Sequence, residues 1–223
     1  MLRRTALFVL ILTILLVIGW IAAADWRPAE ADYPRQGIDV SQSQGIIDWE
    51  GLPDEVDFAY MRASEGADGR DSRFTVNWTG ARTAGIARGA YHRFSLCASG
   101  EAQANNFIAA LPADRDMLAP AVDLEFTDTC ADRPTPDELA TELTLFLNRV
   151  EARYGRRAIL RLTREFDGGY EVSRRFPDHP LWLRSTFLKP DWGARPWAMW
   201  QASGFRRIPG ITGAVNWDVA ARP

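Results

Sequence analysis

Eight short runs of apolar and β-branched residues recur along the chain, each bounded by Gly, Pro or charge. They cover 37–41, 56–63, 87–94, 119–126, 158–163, 181–184, 197–202 and 214–219. Runs of this length and composition read as strands. Between the earlier ones lie longer stretches with helical periodicity. The clearest opens with Thr135-Pro136-Asp137-Glu138: Thr135 can cap, Pro136 suits the first helical position, and Glu138 completes a capping box. Leu139, Leu143, Phe146, Leu147, Val150 and Tyr154 then share one face, and Gly155 follows as a stop. Further helices are expected over 99–110 and 74–84. After Thr163 the helical signal weakens and proline becomes frequent. This alternation predicts an α/β fold, an irregular TIM-like β/α barrel of eight strands with helices mainly in the first half. Chemistry in such a barrel sits at the C-terminal ends of the strands.

Ahead of the barrel, Arg3 and Arg4 precede an uninterrupted apolar run over 6–24. The run is long enough to cross the hydrocarbon core of a bilayer and has no polar face that would suit a buried core helix. Its basic flank and the free amine of Met1 are expected to stay cytoplasmic, which sends the remainder outward. Ala22-Ala23-Ala24 also resembles a signal-peptidase site, but the length favours an uncleaved anchor. The expected organisation is an anchor over 1–24, a polar linker over 25–35 and one domain over 36–223. The net charge is −3 and no basic stripe stands out, so a nucleic-acid phosphate backbone is not an expected partner. The only two cysteines, Cys97 and Cys130, lie in no C-x-x-C, and His92 and His179 are far apart in sequence, so no zinc site is expected. In an oxidising compartment the economical reading is one disulfide. Both residues lie just beyond strand ends, in neighbouring βα connections on one rim.

The fourth strand, APAVDLEF, ends with Asp123 and Glu125. Residues i and i+2 of a strand share a face, so the two carboxylates stand about 6–7 Å apart along it. A negative neighbour makes the second ionisation harder, which is one way to keep an acid protonated for delivery to a leaving glycosidic oxygen. The first strand, QGIDVS, adds Asp39 to the same mouth, and three converging like charges are seldom kept for stability alone. In GAYHRF, Tyr91 has the parity of a phenol donor at the mouth, and His92 is read as a packed structural residue. Trp200 with Gln201 is a candidate sugar platform, with a core tryptophan as the equal alternative.

The order GIDVSQSQGIIDW, FAYMRASEG, F-x-x-N-W, AGIARGAYHRF, QANNF, APAVDLE, LWL, MWQ and GITGAVNWD resembles glycoside hydrolase family 25, the lysozymes of the cellosyl and Chalaropsis type. The resemblance runs from about Gly37 to Asp218. It implies an irregular β/α barrel that hydrolyses the β-1,4 bond from N-acetylmuramic acid to N-acetylglucosamine. It also implies Glu125 as proton donor, Asp123 and Asp39 as its acidic companions, and Tyr91 as the substrate-facing tyrosine. Two departures stand out. The family's closing Asp-x-Asn is reversed here as Asn216-Trp217-Asp218, which makes Asp218 the expected fourth polar contact to the sugar in place of Asn216. Aromatics usual after strands five and six are replaced by Leu162 and Arg184, and Arg184 could meet a peptidoglycan carboxylate.

The expected activity is therefore that of a peptidoglycan muramidase without metal or cofactor. Attack on the anomeric carbon falls either to the substrate's own N-acetyl carbonyl or to a carboxylate-activated water. A binding or scaffolding module on the same barrel is the alternative, supported by the reversed last strand. An unrelated barrel enzyme acting on another polysaccharide is a third. The expected partners are glycan strands and, through the N-terminal helix, the cytoplasmic membrane with the domain on its periplasmic side, or a secreted form if the segment is cleaved. A monomer and no nucleic-acid partner are expected.

Overall fold

A computed structural model describes residues 2–112, 114, 116–127, 130 and 132–222. Met1, whose amine enters the orientation argument, lies outside them. Helix α1 (Leu2–Asp25) holds the apolar run and is long and apolar enough to cross a membrane, although a signal sequence passes the same test. It projects from the rest of the molecule and touches it mainly through β8.

The strands are β1 (Gln36–Val40), β2 (Phe58–Glu65), β3 (Gly69–Arg70), β4 (Ala87–Arg93), β5 (Ala121–Leu124), β6 (Ile159–Thr163), β7 (Leu181–Arg184), β8 (Met199–Arg206) and β9 (Val215–Ala220). All but β3 form a closed barrel. Pairing is parallel from β1 through β2, β4, β5, β6 and β7 to β8, and β9 closes the ring antiparallel to both β8 and β1. The expected irregular eight-stranded barrel is thus the fold observed. β3, a two-residue strand hairpinned onto β2, is an addition at the rim.

The long helices α2 (Phe74–Thr83), α3 (Gly100–Ala110) and α4 (Pro136–Tyr154) cover the first half, as their periodicity predicts. The Thr135/Glu138 capping box forms, and Gly155 ends α4 at a positive φ of 66°. α3 and α4 meet closely at Gly100, where a Cβ would lie 1.8 Å from the Glu142 carbonyl oxygen. Two short helices that the sequence does not announce, α5 (Arg164–Tyr170) and α6 (Val172–Arg175), follow β6, and no helix lies between β7 and β8.

Two apolar layers result. The outer one lies between barrel and helices and contains Leu124, Leu162, Phe107 and Phe146. His92 belongs there, unexposed, against the rings of Phe107 and Phe146 and hydrogen-bonded through Ser64 and Gln103. Burial pulls its pKa down to about 4, so the ring is neutral. The inner layer fills the barrel with Phe58, Tyr60, Tyr91, Ala121, Ile159, Trp182 and Met199. Cys97 and Cys130 form the expected disulfide between the connections after β4 and β5, with Cα atoms 5.6 Å apart.

Candidate active site

Above the inner apolar layer, inward side chains from neighbouring strands meet in a charged cluster. Asp123 on β5 stands beside Arg93 of β4 and Arg161 of β6 in the sheet register. Arg161, 2% exposed, lies 2.9 Å from Asp39 Oδ2 and 3.2 Å from Asp123 Oδ2, and donates to Gln201 as well. Burial opposes its charge, but the Asp123 and Asp39 carboxylates outweigh that and hold the guanidinium above its ordinary pKa. Tyr91 and Trp182 flank it, with ring centroids 5.2 and 4.7 Å from the guanidinium carbon. Removal of water from such a pair costs several kcal/mol per ion, so the cluster persists because each charge has a partner.

Glu125 lies just past β5, one position beyond the regular strand. Its side chain is 19% exposed, whereas those of Asp39 and Asp123 are 2% and 0% exposed. Arg93 Nη2 is 3.1 Å from Oε1, and Arg184, the last residue of β7, donates to Oε2. Burial also opposes the charge of Arg93, and Asp123 and Glu125 again raise its pKa despite it. The three carboxylates expected at the mouth are therefore assembled, and each has a guanidinium against it. Repulsion between like charges is relieved at the site itself.

The reversed last strand corrects one expectation. β9 runs antiparallel to its neighbours, so its earlier residues lie nearer the mouth. Asn216 is half-buried there and donates to Asp39 Oδ1 at 3.1 Å. Asp218 is unexposed and deeper, accepting from Trp182 Nε1 at 2.9 Å. At that depth it cannot be the sugar contact expected of it, and Asn216 is the nearer of the two to the mouth. Burial, and then the charge of Asp39, push the Asp218 carboxyl well above the usual range. Its Oδ2 has no hydrogen-bond partner.

Of the two readings left open for Trp200, the core one holds. Trp200 faces the outer layer, 3% exposed, with Nε1 donating to the Ser185 carbonyl. Its ring packs on Trp26 and Tyr33, so it secures the 25–35 segment and does not form a sugar platform. Leu162 also faces the helices, because its parity is opposite to that of Arg161. Tyr91 does face inward, but it is 3% exposed and lies against Arg161. Burial and the nearby carboxylate of Asp39 raise its pKa and keep the phenol neutral.

The residues not singled out from sequence are Arg161, Arg93 and Trp182. Their signal was parity: in ILRLT, Arg161 shares a face with Ile159 and Thr163 and is the one charge in a strand otherwise apolar enough to be buried on both sides. A cavity of about 430 Å³ adjoins the cluster, lined by Gln42, Arg62, Glu65, Arg93 and Thr127 among others. A larger one of about 650 Å³, between Tyr33, Trp192 and Trp197, lies on the flank and shares no lining residue with the cluster.

The chain matches Glycosyl hydrolases family 25 over residues 38–211. It is 31% identical over 199 residues to Lysozyme M1 of Streptomyces globisporus, covering 81% of this chain and 66% of that protein. Among solved structures, a family 25 glycosyl hydrolase from Bacillus anthracis superposes with a TM-score of 0.82 at 29% identity, covering 88% of this chain and 93% of that one. The bacterial lysozyme from Streptomyces coelicolor gives 0.77 at 30% identity, with coverage of 83% and 91%. Together with the closed barrel and the carboxylates at its mouth, these matches make the chain a member of glycosyl hydrolase family 25, a lysozyme-type glycoside hydrolase that acts on peptidoglycan.

Proposed function

We propose that the chain hydrolyses the β-1,4 bond between N-acetylmuramic acid and N-acetylglucosamine, with Glu125 as the proton donor. The observation that carries this reading is the graded exposure of the carboxyl groups. Of Asp39, Asp123, Asp218 and Glu125, only Glu125 reaches solvent and can touch a glycosidic oxygen. Asp123 and Asp39 are held rigidly beneath it by Arg161, where their negative charge steadies the cation that develops at the anomeric carbon. Asn216, beside Asp39, is the polar contact for the sugar at the opposite wall.

In the free protein Glu125 is engaged by Arg93 and Arg184. A muramyl substrate brings a carboxylate of its own, on the peptide stem or, where no stem is attached, on the lactyl ether. That carboxylate takes over Arg184, which leaves Oε2 of Glu125 open to take a proton from water and pass it to the glycosidic oxygen, while Arg93 stays on Oε1. Arg184 thereby links substrate binding to release of the acid.

The apolar α1 is read as an uncleaved anchor in the cytoplasmic membrane, with Arg4 on the inner side and the barrel, as a monomer, outside. Mass spectrometry of fragments released from purified peptidoglycan tests the bond assignment. Muramidase action leaves N-acetylmuramic acid at the new reducing end. New reducing ends on N-acetylglucosamine would contradict it.

A further inference from the structure

Helix α1 leaves the barrel at one defined place. The Ala24 carbonyl accepts from the Arg207 backbone N–H at 3.0 Å, and Arg206 donates to the Asp25 carbonyl. Both partners lie at the C-terminal end of β8, the end at which the catalytic cluster opens. Five residues earlier on the helix, Trp20 meets Phe205 edge-on at 6.3 Å. Phe205 stacks on Phe187 at 6.0 Å, and Phe187 meets Trp26 at 5.2 Å. Beside them Leu188 is 74% exposed, while Phe187 and Phe205 are 38% and 40% exposed. Phe187 also holds a positive φ of 66°, a conformation unfavourable for a bulky side chain. A strained backbone that presents an exposed aromatic points to a use for the ring.

We propose that the rim formed by Phe187, Leu188 and Phe205 is seated in the interfacial layer of the bilayer that α1 crosses. The inference rests on the reading of α1 as an uncleaved anchor. Trp20 belongs to the span, about 7 Å before its end at 1.5 Å per residue, so whatever touches Trp20 lies at that depth. Phe205 touches it. Apolar faces of surface-bound elements sink about 5–10 Å into the same layer. The exposed Lys189 and Arg207 border the rim and suit anionic headgroups. Arg184, the partner of Glu125, lies only three residues before Phe187. The seated rim therefore holds the catalytic mouth against the membrane surface, and the glycan within its reach is that next to the membrane.

The test uses the full chain in vesicles of phosphatidylcholine and phosphatidylglycerol. A nitroxide is placed through Leu188→Cys, and a control through Val76→Cys on α2, which is 62% exposed. The native cysteines are joined to each other and do not compete for the label. Seating predicts that collision of the Leu188→Cys probe with a water-soluble nickel chelate falls at least about threefold below that of the control, while collision with oxygen rises. Equal nickel accessibility at both positions, in a chain that floats with the vesicles, overturns the proposal and leaves the anchor reading intact. A chain that fails to float contradicts the anchor itself. Exclusion of both relaxants, with a line shape that sharpens on dilution with unlabelled chain, assigns the rim to a second copy and also overturns the proposal.

Discussion

At the scale of single residues, Arg161 is the keystone of the charged cluster, since Asp39 and Asp123 both depend on it. Arg161→Ala strands two buried carboxylates and is expected to destabilise by about 3–5 kcal/mol, read from urea unfolding. Stability within about 1 kcal/mol of the parent would contradict the ion-pair account. Asp218 behaves in the opposite sense. Its folded pKa is raised, so the folded state keeps a proton that the unfolded chain releases above the usual carboxylate range. The stability this provides is present at low pH and is lost as pH rises towards the folded value. Asp218→Asn removes that slope. The amide still accepts from Trp182 and can donate to Asp39, so the variant is expected to melt at or above the parent temperature at pH 7. A markedly lower melting temperature there would show that the ionised form is the stable one. His92 titrates downward instead. The stability that its neutral form contributes is complete above pH 6.5 and is lost as pH falls towards about 4, a total of about 3 kcal/mol. Its ring resonance in a proton NMR titration should stay in the neutral position at pH 5.5, whereas a midpoint near 6.5 would refute the buried assignment.

At the scale of elements, strands and long helices were legible because each carries its own signal: bounded apolar runs for the strands, and capping and one-face periodicity for α4. The short helices α5 and α6 were not, since four to seven residues hold too few turns to show a period. The depths of Asn216 and Asp218 were not legible, for a topological reason. Depth in the barrel depends on strand direction, and a sequence does not show that β9 returns antiparallel. Trp200 was open between two faces because the parity of β8 has no independent anchor in sequence. The disulfide, by contrast, followed from export and from the positions of Cys97 and Cys130 beyond adjacent strands. It closes a loop of 33 residues across the β4 and β5 connections next to Glu125. Cys97→Ser with Cys130→Ser is expected to cost about 3–4 kcal/mol in unfolding free energy. An unchanged denaturant midpoint would mean that the 97–130 connection is held by packing alone.

At the scale of the whole molecule, a family 25 barrel is joined to an apolar helix that leaves from its catalytic end. The 25–35 segment, expected as a simple linker, is strapped down the outside of the barrel by Trp26 and Tyr33 on Trp200. Its backbone turns back to Gln36, whose amide donates to the Pro28 and Tyr33 carbonyls. Helix α1 and the barrel therefore have little slack between them. Fractionation of cells carrying a C-terminal reporter is expected to find the full-length chain in the membrane, and a soluble species beginning near Asp25 would show cleavage instead. The proposed chemistry converges on Glu125, and its most direct test is the turnover of Glu125→Gln. Gln keeps the shape of the side chain and can still accept from Arg93 and Arg184, but it cannot deliver a proton. General acid catalysis contributes about 10²–10⁴-fold, so release of reducing ends from purified peptidoglycan should fall by at least that order, with melting temperature and glycan binding preserved. Parent-like turnover in a folded Glu125→Gln variant would contradict the account.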